Sequence, residues 1–300
     1  MSQLFGFGLG YSAQTLAGRL AAKGWRIAGT VRDPVAIERL SGLGYAMTRF
    51  AGEADNQAVG QLLAGTTHLL LSIPPRSSGD PVLAQYRDVI SALAQLQWIG
   101  YLSTVGVYGD SQGHWINETT QVAPKSERTD ARVAAEAAWL DFGREIGRTV
   151  QVFRLAGIYG PGRSTFDKLR AGTARRIVKP GQVFNRIHVE DIATTLEASI
   201  ARPRLGAIYN VADDCPAPPE DVVTYAAELI GLKPPPAVPF AEADLTPMAR
   251  SFYEGNRRIA NALIKSELGV TLAYPTYHEG LAAILRGEGA QAPSPLAAKP

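Results

Sequence analysis

The chain has 300 residues, 46% of them hydrophobic, enough to bury a sizeable core in one large domain or two modest ones. A net charge of +2, with no basic run interleaved with aromatics, excludes the electrostatic footprint of a nucleic-acid partner. The single cysteine, Cys215, rules out an internal disulfide; with no signal-like opening and no apolar run of membrane-spanning length, the expected location is the cytoplasm, without a membrane partner.

Residues 4–7 read as a strand that runs into Gly8-x-Gly10-x-x-Ala13. Behind this turn, Ala13, Leu16, Ala17, Leu20 and Ala21 fall on one helical face, and Lys23-Gly24 supplies a C-terminal charge and stop. Residues 26–31 are then a second strand. The spacing is that of the dinucleotide fingerprint: the first glycine turns the chain, the second lets a diphosphate approach the backbone, and a small third residue lets helix pack on strand. Gly8, Leu9, Gly10, Tyr11, Ser12 and Ala13 are therefore the expected cofactor-binding residues. After the second strand comes Val31-Arg32-Asp33. Arg32 argues for NADP, because an arginine there accommodates a 2′-phosphate; NAD is the alternative if Asp33 turns inward to the ribose.

Helical and strand patterns then alternate, as a doubly wound sheet requires. A helix is expected at 34–43, a strand at 45–50, a helix at 56–64 and a central strand at 67–73. The last ends in Pro74-Pro75, so Ser72, Ile73 and Pro74 lie at a strand's carboxyl end and join the expected cofactor set. A helix at 81–96 and a strand at 98–102 lead into Ser103-Thr104, a hydroxyl pair placed to meet a ligand beside the cofactor. A polar loop at 109–124, a helix at 128–142 and a strand at 150–155 follow, then strands at 184–189 and 208–211 around a helix at 191–200. After Asp213 the prolines multiply and the pattern breaks up.

The expected fold is α/β, a Rossmann-type doubly wound parallel sheet with a smaller C-terminal substrate lobe. Residues 1–160, with 184–212 returning, make the dinucleotide-binding domain; 161–183 and 213–286 make the lobe; 287–300 is an aperiodic tail expected to be disordered.

Four stretches in this order resemble the extended short-chain dehydrogenase/reductase superfamily, the group containing NAD-dependent epimerases and dehydratases. They are the glycine fingerprint, Ser103-Thr104-x-x-Val107-Tyr108-Gly109, Arg154-x-x-x-x-Tyr159-Gly160-Pro161-Gly162 and Arg186-Ile187-His188-Val189-x-Asp191. The resemblance reaches to about Leu285. It implies a catalytic Ser or Thr, matched by Thr104, with a Tyr and a Lys four residues apart on the next helix and a Glu four residues later. This chain reads Arg128-x-x-x-Arg132-x-x-x-Glu136, which puts Arg128 in the Tyr position and Arg132 in the Lys position.

Arginine stays protonated and cannot exchange the proton that accompanies hydride transfer. Arg132 could still donate to the nicotinamide ribose, and Arg128 could hold an anion or oxyanion; the alternative is that both face solvent. Tyr108 and Tyr159 are other hydroxyls in the motifs, and both look structural. Dehydratase members carry acids after the strand hydroxyl, whereas this chain has Val105 and Gly106, which disfavours a sugar-nucleotide dehydratase. The resemblance further implies a substrate pocket around Ser103, Tyr159, Arg163, Asn185, Arg186, His188 and Tyr253, and no metal.

Two functions remain open: an NAD(P)-dependent oxidoreductase or epimerase for a small polar carbonyl or alcohol, neutral or anionic, working as a monomer or homodimer; or a dinucleotide-binding sensor or scaffold without turnover.

Overall fold

The computed structural model describes residues 1–52 and 56–288. In chain order its elements are β1 (Gln3–Phe7), α1 (Tyr11–Ala22), β2 (Arg26–Val31), α2 (Pro34–Ser41), β3 (Ala46–Arg49), α3 (Gln57–Leu63), β4 (His68–Leu71), α4 (Pro81–Ser91), β5 (Trp98–Thr104) and β6 (Trp115–Ile116). There follow α5 (Glu127–Ile146), β7 (Thr149–Leu155), β8 (Gly157–Tyr159), α6 (Thr165–Arg170), β9 (Arg176–Val178), β10 (Arg186–His188), α7 (Val189–Ala201) and β11 (Ile208–Val211). The chain ends with α8 (Pro219–Leu229), β12 (Ala237–Pro239), α9 (Pro247–Ser251), β13 (Arg258–Ile259), α10 (Ala262–Ser266) and α11 (Tyr277–Glu288).

Seven parallel strands form the central sheet in the order β11-β7-β5-β4-β1-β2-β3. A parallel sheet covered on both faces needs apolar side chains on both, which is why its strands read as unbroken apolar runs. Leu4, Phe5, Leu69, Leu70 and Ile99 are fully buried, and each such side chain contributes about 1.5–3 kcal/mol relative to exposure. One face packs α1 and α7 through Ala13, Leu16, Leu20, Ile192 and Leu196. The other packs α3, α4 and α5 through Val59, Leu63, Val82, Tyr86, Trp139 and Phe142. Strand order reverses between β1 and β4, so their carboxyl ends open the crevice where ligands of such sheets bind. The fold is thus the Rossmann-type α/β sheet expected from the sequence.

The outer parts differ from the sequence reading. The strand expected at 184–189 shortens to β10 and pairs with β8, because β11 takes the place beside β7. The helix expected to reach residue 96 stops at Ser91. The smaller lobe has cores of its own, one around Phe166, Val222 and Leu281 and one around Ile177 and Tyr253. Residues 213–286 do not all belong to it. From β13 on the chain returns to the sheet, and Ile259, Ile264, Leu268 and Val270 join the same core cluster as α1 and α7. Gly287 and Glu288 continue α11, and the rest of the expected tail lies outside the described residues. Among the described residues no helix is long and apolar enough to cross a membrane.

Candidate functional site

The crevice between β1 and β4 is built around the glycine turn. Gly8 has φ +83°, and a Cβ there would stand 2.6 Å from Ile73 Cγ2, so only glycine fits. The turn hangs on the end of β2: Gly8 N–H donates to Thr30 Oγ1 at 3.0 Å, and Leu9 N–H donates to the Thr30 carbonyl at 2.8 Å. Gly10 is the N-cap of α1, without a side-chain cap. A Cβ on Gly10 would meet only the Gly8 carbonyl, 3.9 Å away, leaving an open cradle in front of the first helical turn. Unpaired N–H groups at the positive end of a helix favour an anion. The cradle therefore fits the diphosphate of a dinucleotide, held by backbone amides. Leu9, Ser12 and Ala13 turn their side chains into the protein, being 0%, 6% and 0% exposed. Tyr11 donates its hydroxyl to the Pro161 carbonyl at 2.9 Å, and burial pushes its pKa up to about 12. Ser72 extends β4 by donating its amide to the Phe7 carbonyl at 2.9 Å, and with Ile73 it flanks the turn.

At the end of β2, Arg32 is exposed. Asp33 accepts from Val35 N–H at 3.0 Å, so its carboxylate caps α2.

At the end of β5, Thr104 is half-buried and its Oγ1 accepts from Gly106 N–H at 3.1 Å, which leaves its hydroxyl hydrogen free to donate. Ser103 points the other way. Its hydroxyl, 6% exposed, donates to Glu136, which is itself paired with Arg154 at 2.7 Å. The Arg154 guanidinium lies 4.8 Å from the centre of the Tyr108 ring, and Tyr108 donates to Asn210 Oδ1 at 2.8 Å. This buried chain ties β5, α5, β7 and β11 together. It takes Ser103 and Tyr108 out of a ligand's reach.

Arg132 is half-buried and its Nη1 donates to the Leu102 carbonyl at 2.9 Å and to the Tyr101 hydroxyl at 3.2 Å. Arg128 is exposed, 5.8 Å from the centre of the Phe252 ring. Arg132 is thus turned back onto β5, while Arg128 lies beside Phe252.

Of the residues expected around a substrate, Arg163 alone is exposed; its guanidinium lies 5.8 Å from the centre of the Tyr11 ring. The others hold the lobe together. Asn185 donates to the Arg257 carbonyl and accepts from Ile259 N–H, both at 2.9 Å. Arg186 donates to the Phe184 and Ala217 carbonyls at 3.0 and 3.2 Å. His188 is 2% exposed, accepts from Glu190 N–H through Nδ1, and has its pKa lowered to about 4 by burial. Tyr159 reaches the Thr276 carbonyl at 3.4 Å. Tyr253 sits 7% exposed between Phe184 and Phe240, with ring centres 5.0 and 4.9 Å away, as core rather than lid.

Asp213 escaped the sequence reading. It is 2% exposed; Oδ1 accepts from Cys215 N–H at 3.1 Å, and Oδ2 has no hydrogen-bond partner among the described residues. Burial pushes its pKa up to about 8 against the opposing charge of Arg186. A carboxyl that is neutral in the fold but ionises near 3.8 when unfolded costs stability as pH climbs from about 4 to about 8. Asp213→Asn is expected to raise the melting temperature at pH 8 and to raise it much less at pH 5. An increment equal at both values contradicts the assignment.

A Rossmann sheet whose switch point carries an uncapped, glycine-lined helix start defines a dinucleotide-binding protein. The chain matches the NAD dependent epimerase/dehydratase family over residues 8–212. It therefore belongs to that family, with a role of the NAD(P)-dependent oxidoreductase or epimerase type. It is 32% identical to Protein YeeZ of Escherichia coli (strain K12) over 282 residues, covering 89% of this chain and 94% of that one. Among solved structures it is similar to a functionally unknown conserved protein from Silicibacter pomeroyi DSS, with 53% identity, a TM-score of 0.88, and coverage of 96% and 99% of the two chains. A dTDP-glucose 4,6-dehydratase from Bacillus anthracis str. Ames, solved in complex with NAD, shares the fold at 15% identity, with a TM-score of 0.78 over 97% of each chain.

Proposed function

We propose that the protein binds NADPH in preference to NADH and acts as a cytoplasmic oxidoreductase or epimerase on a small polar carbonyl or alcohol, neutral or anionic. The observation that carries the cofactor choice is the end of β2, where Arg32 is exposed while Asp33 is committed to capping α2. A guanidinium there attracts a 2′-phosphate, and a carboxylate spent on a helix cap is not offered to a ribose. Arg32→Glu is expected to remove or reverse the preference in fluorescence titrations with the two nucleotides. Equal affinities of the wild type for both overturn the choice.

A nicotinamide bound in this crevice would supply or accept the hydride. Thr104 donates to the substrate oxygen, and Arg128, in the position the superfamily gives to tyrosine, holds an anionic group or a developing oxyanion. Neither arginine takes up a proton, so in reduction the proton on the product oxygen comes from solvent, and in oxidation the alcohol proton leaves to solvent.

The second reading is a dinucleotide-binding sensor or scaffold. It is favoured by Arg132, whose guanidinium is engaged by the Leu102 carbonyl in place of a ribose. Incubation with NADPH and a broad panel of neutral and anionic carbonyl compounds separates the two: oxidation of NADPH supports the enzyme, and tight binding without oxidation supports the sensor.

A further inference from the structure

We propose that Arg49, at the end of β3, is a second specificity-determining residue for the 2′-phosphate, acting beside Arg32; this rests on the NADPH reading above. The register pairs Val31 with Arg49, so β2 and β3 finish side by side at the carboxyl edge of the sheet. Arg49 Nε donates to the Arg32 carbonyl at 3.4 Å, which fixes one edge of its guanidinium against the backbone of the residue that reads the ribose. The Arg49 carbonyl accepts from Asn56 Nδ2 at 2.8 Å, and Asn56 in turn caps α3 through Ala58 N–H. The position is thus anchored from two sides, and neither bond uses the Nη atoms.

The fold gains little from an arginine here. Among the described residues its one side-chain bond is long, it is exposed as Arg32 is, and none of the ion pairs there involves either arginine. Two exposed arginines at neighbouring strand ends favour a multivalent anion. The diphosphate is not that anion, because its cradle lies at the end of β1, two strands and about 10 Å from β3. The adenosine of a dinucleotide spans that gap and brings a 2′-phosphate to the ends of β2 and β3. A dianion with three free oxygens can engage two guanidinium groups.

The test is a set of dissociation constants for NADPH, NADH and 2′,5′-ADP, measured on the wild type, Arg49→Ala and Arg39→Ala. Arg39 lies on α2 and already donates to Gln14, so its removal controls for general loss of positive charge. Arg49→Ala is expected to weaken NADPH and 2′,5′-ADP by roughly tenfold, the effect of one charge-assisted bond, with NADH and the melting temperature unchanged and Arg39→Ala neutral. If the wild type prefers NADPH and Arg49→Ala weakens neither phosphorylated ligand, or weakens NADH equally, the role of Arg49 is overturned while the NADPH reading stands. If the wild type shows no preference, both fall.

Discussion

Gly10→Val is expected to abolish dinucleotide binding in a protein that still folds. The Gly10 backbone has φ −83° and ψ −163°, which valine adopts freely, and no atom but the Gly8 carbonyl, 3.9 Å away, stands near a Cβ placed there. Folding loses only the difference between glycine and valine as an N-cap, about 1 kcal/mol. The ligand loses far more. A branched side chain in the cradle keeps the diphosphate from the amides of the first turn, and each charge-assisted bond lost is worth about 1.5–3 kcal/mol, so affinity should fall by roughly a hundredfold or more. Calorimetry against NADPH and a thermal melt measure the two effects separately. Retained binding at an unchanged melting temperature would sink the cradle.

Glu136→Ala is expected to give the largest loss of stability. The carboxylate is 4% exposed and meets Arg154, 6% exposed, at 2.7 Å, while also accepting from Ser103. Removing it leaves a guanidinium uncompensated in the core, at a cost of about 3–5 kcal/mol, against a total of about 5–15 kcal/mol for a typical fold. Replacing both partners, as in Glu136→Leu with Arg154→Met, should recover much of that loss, because two apolar groups leave no unpaired charge. Urea unfolding of the single and double variants measures the difference. A single variant within about 1 kcal/mol of wild type contradicts this account of the pair.

The sheet and the glycine turn were legible because their signals are local. Strand, glycine spacing and helix lie within residues 3–22, and apolar runs identify buried parallel strands without knowledge of their neighbours. What stayed hidden depends on partners far along the chain. Ser103 looks like a free hydroxyl until Glu136, 33 residues on, takes it. The signal for that pair was an arginine, Arg154, inside an apolar strand. Asp191 reads as a first-turn carboxylate of α7, yet it also accepts from Ala273 and Tyr274 N–H, 82 and 83 residues away. Tyr253 lies in a lobe whose proline breaks erase periodicity, so nothing in its neighbourhood announced that Phe184 and Phe240 would bury it. Arg32 follows β2 and Arg49 ends β3, and only the register, which pairs Val31 with Arg49, brings the two strand ends together.

A crystal structure of the protein grown with NADPH tests the central claim most directly. The account predicts the diphosphate on the backbone amides of Tyr11, Ser12 and Ala13, the 2′-phosphate at Arg32 and the nicotinamide beside Thr104. A nucleotide bound away from the glycine turn, or a cradle left empty at saturating NADPH, contradicts it.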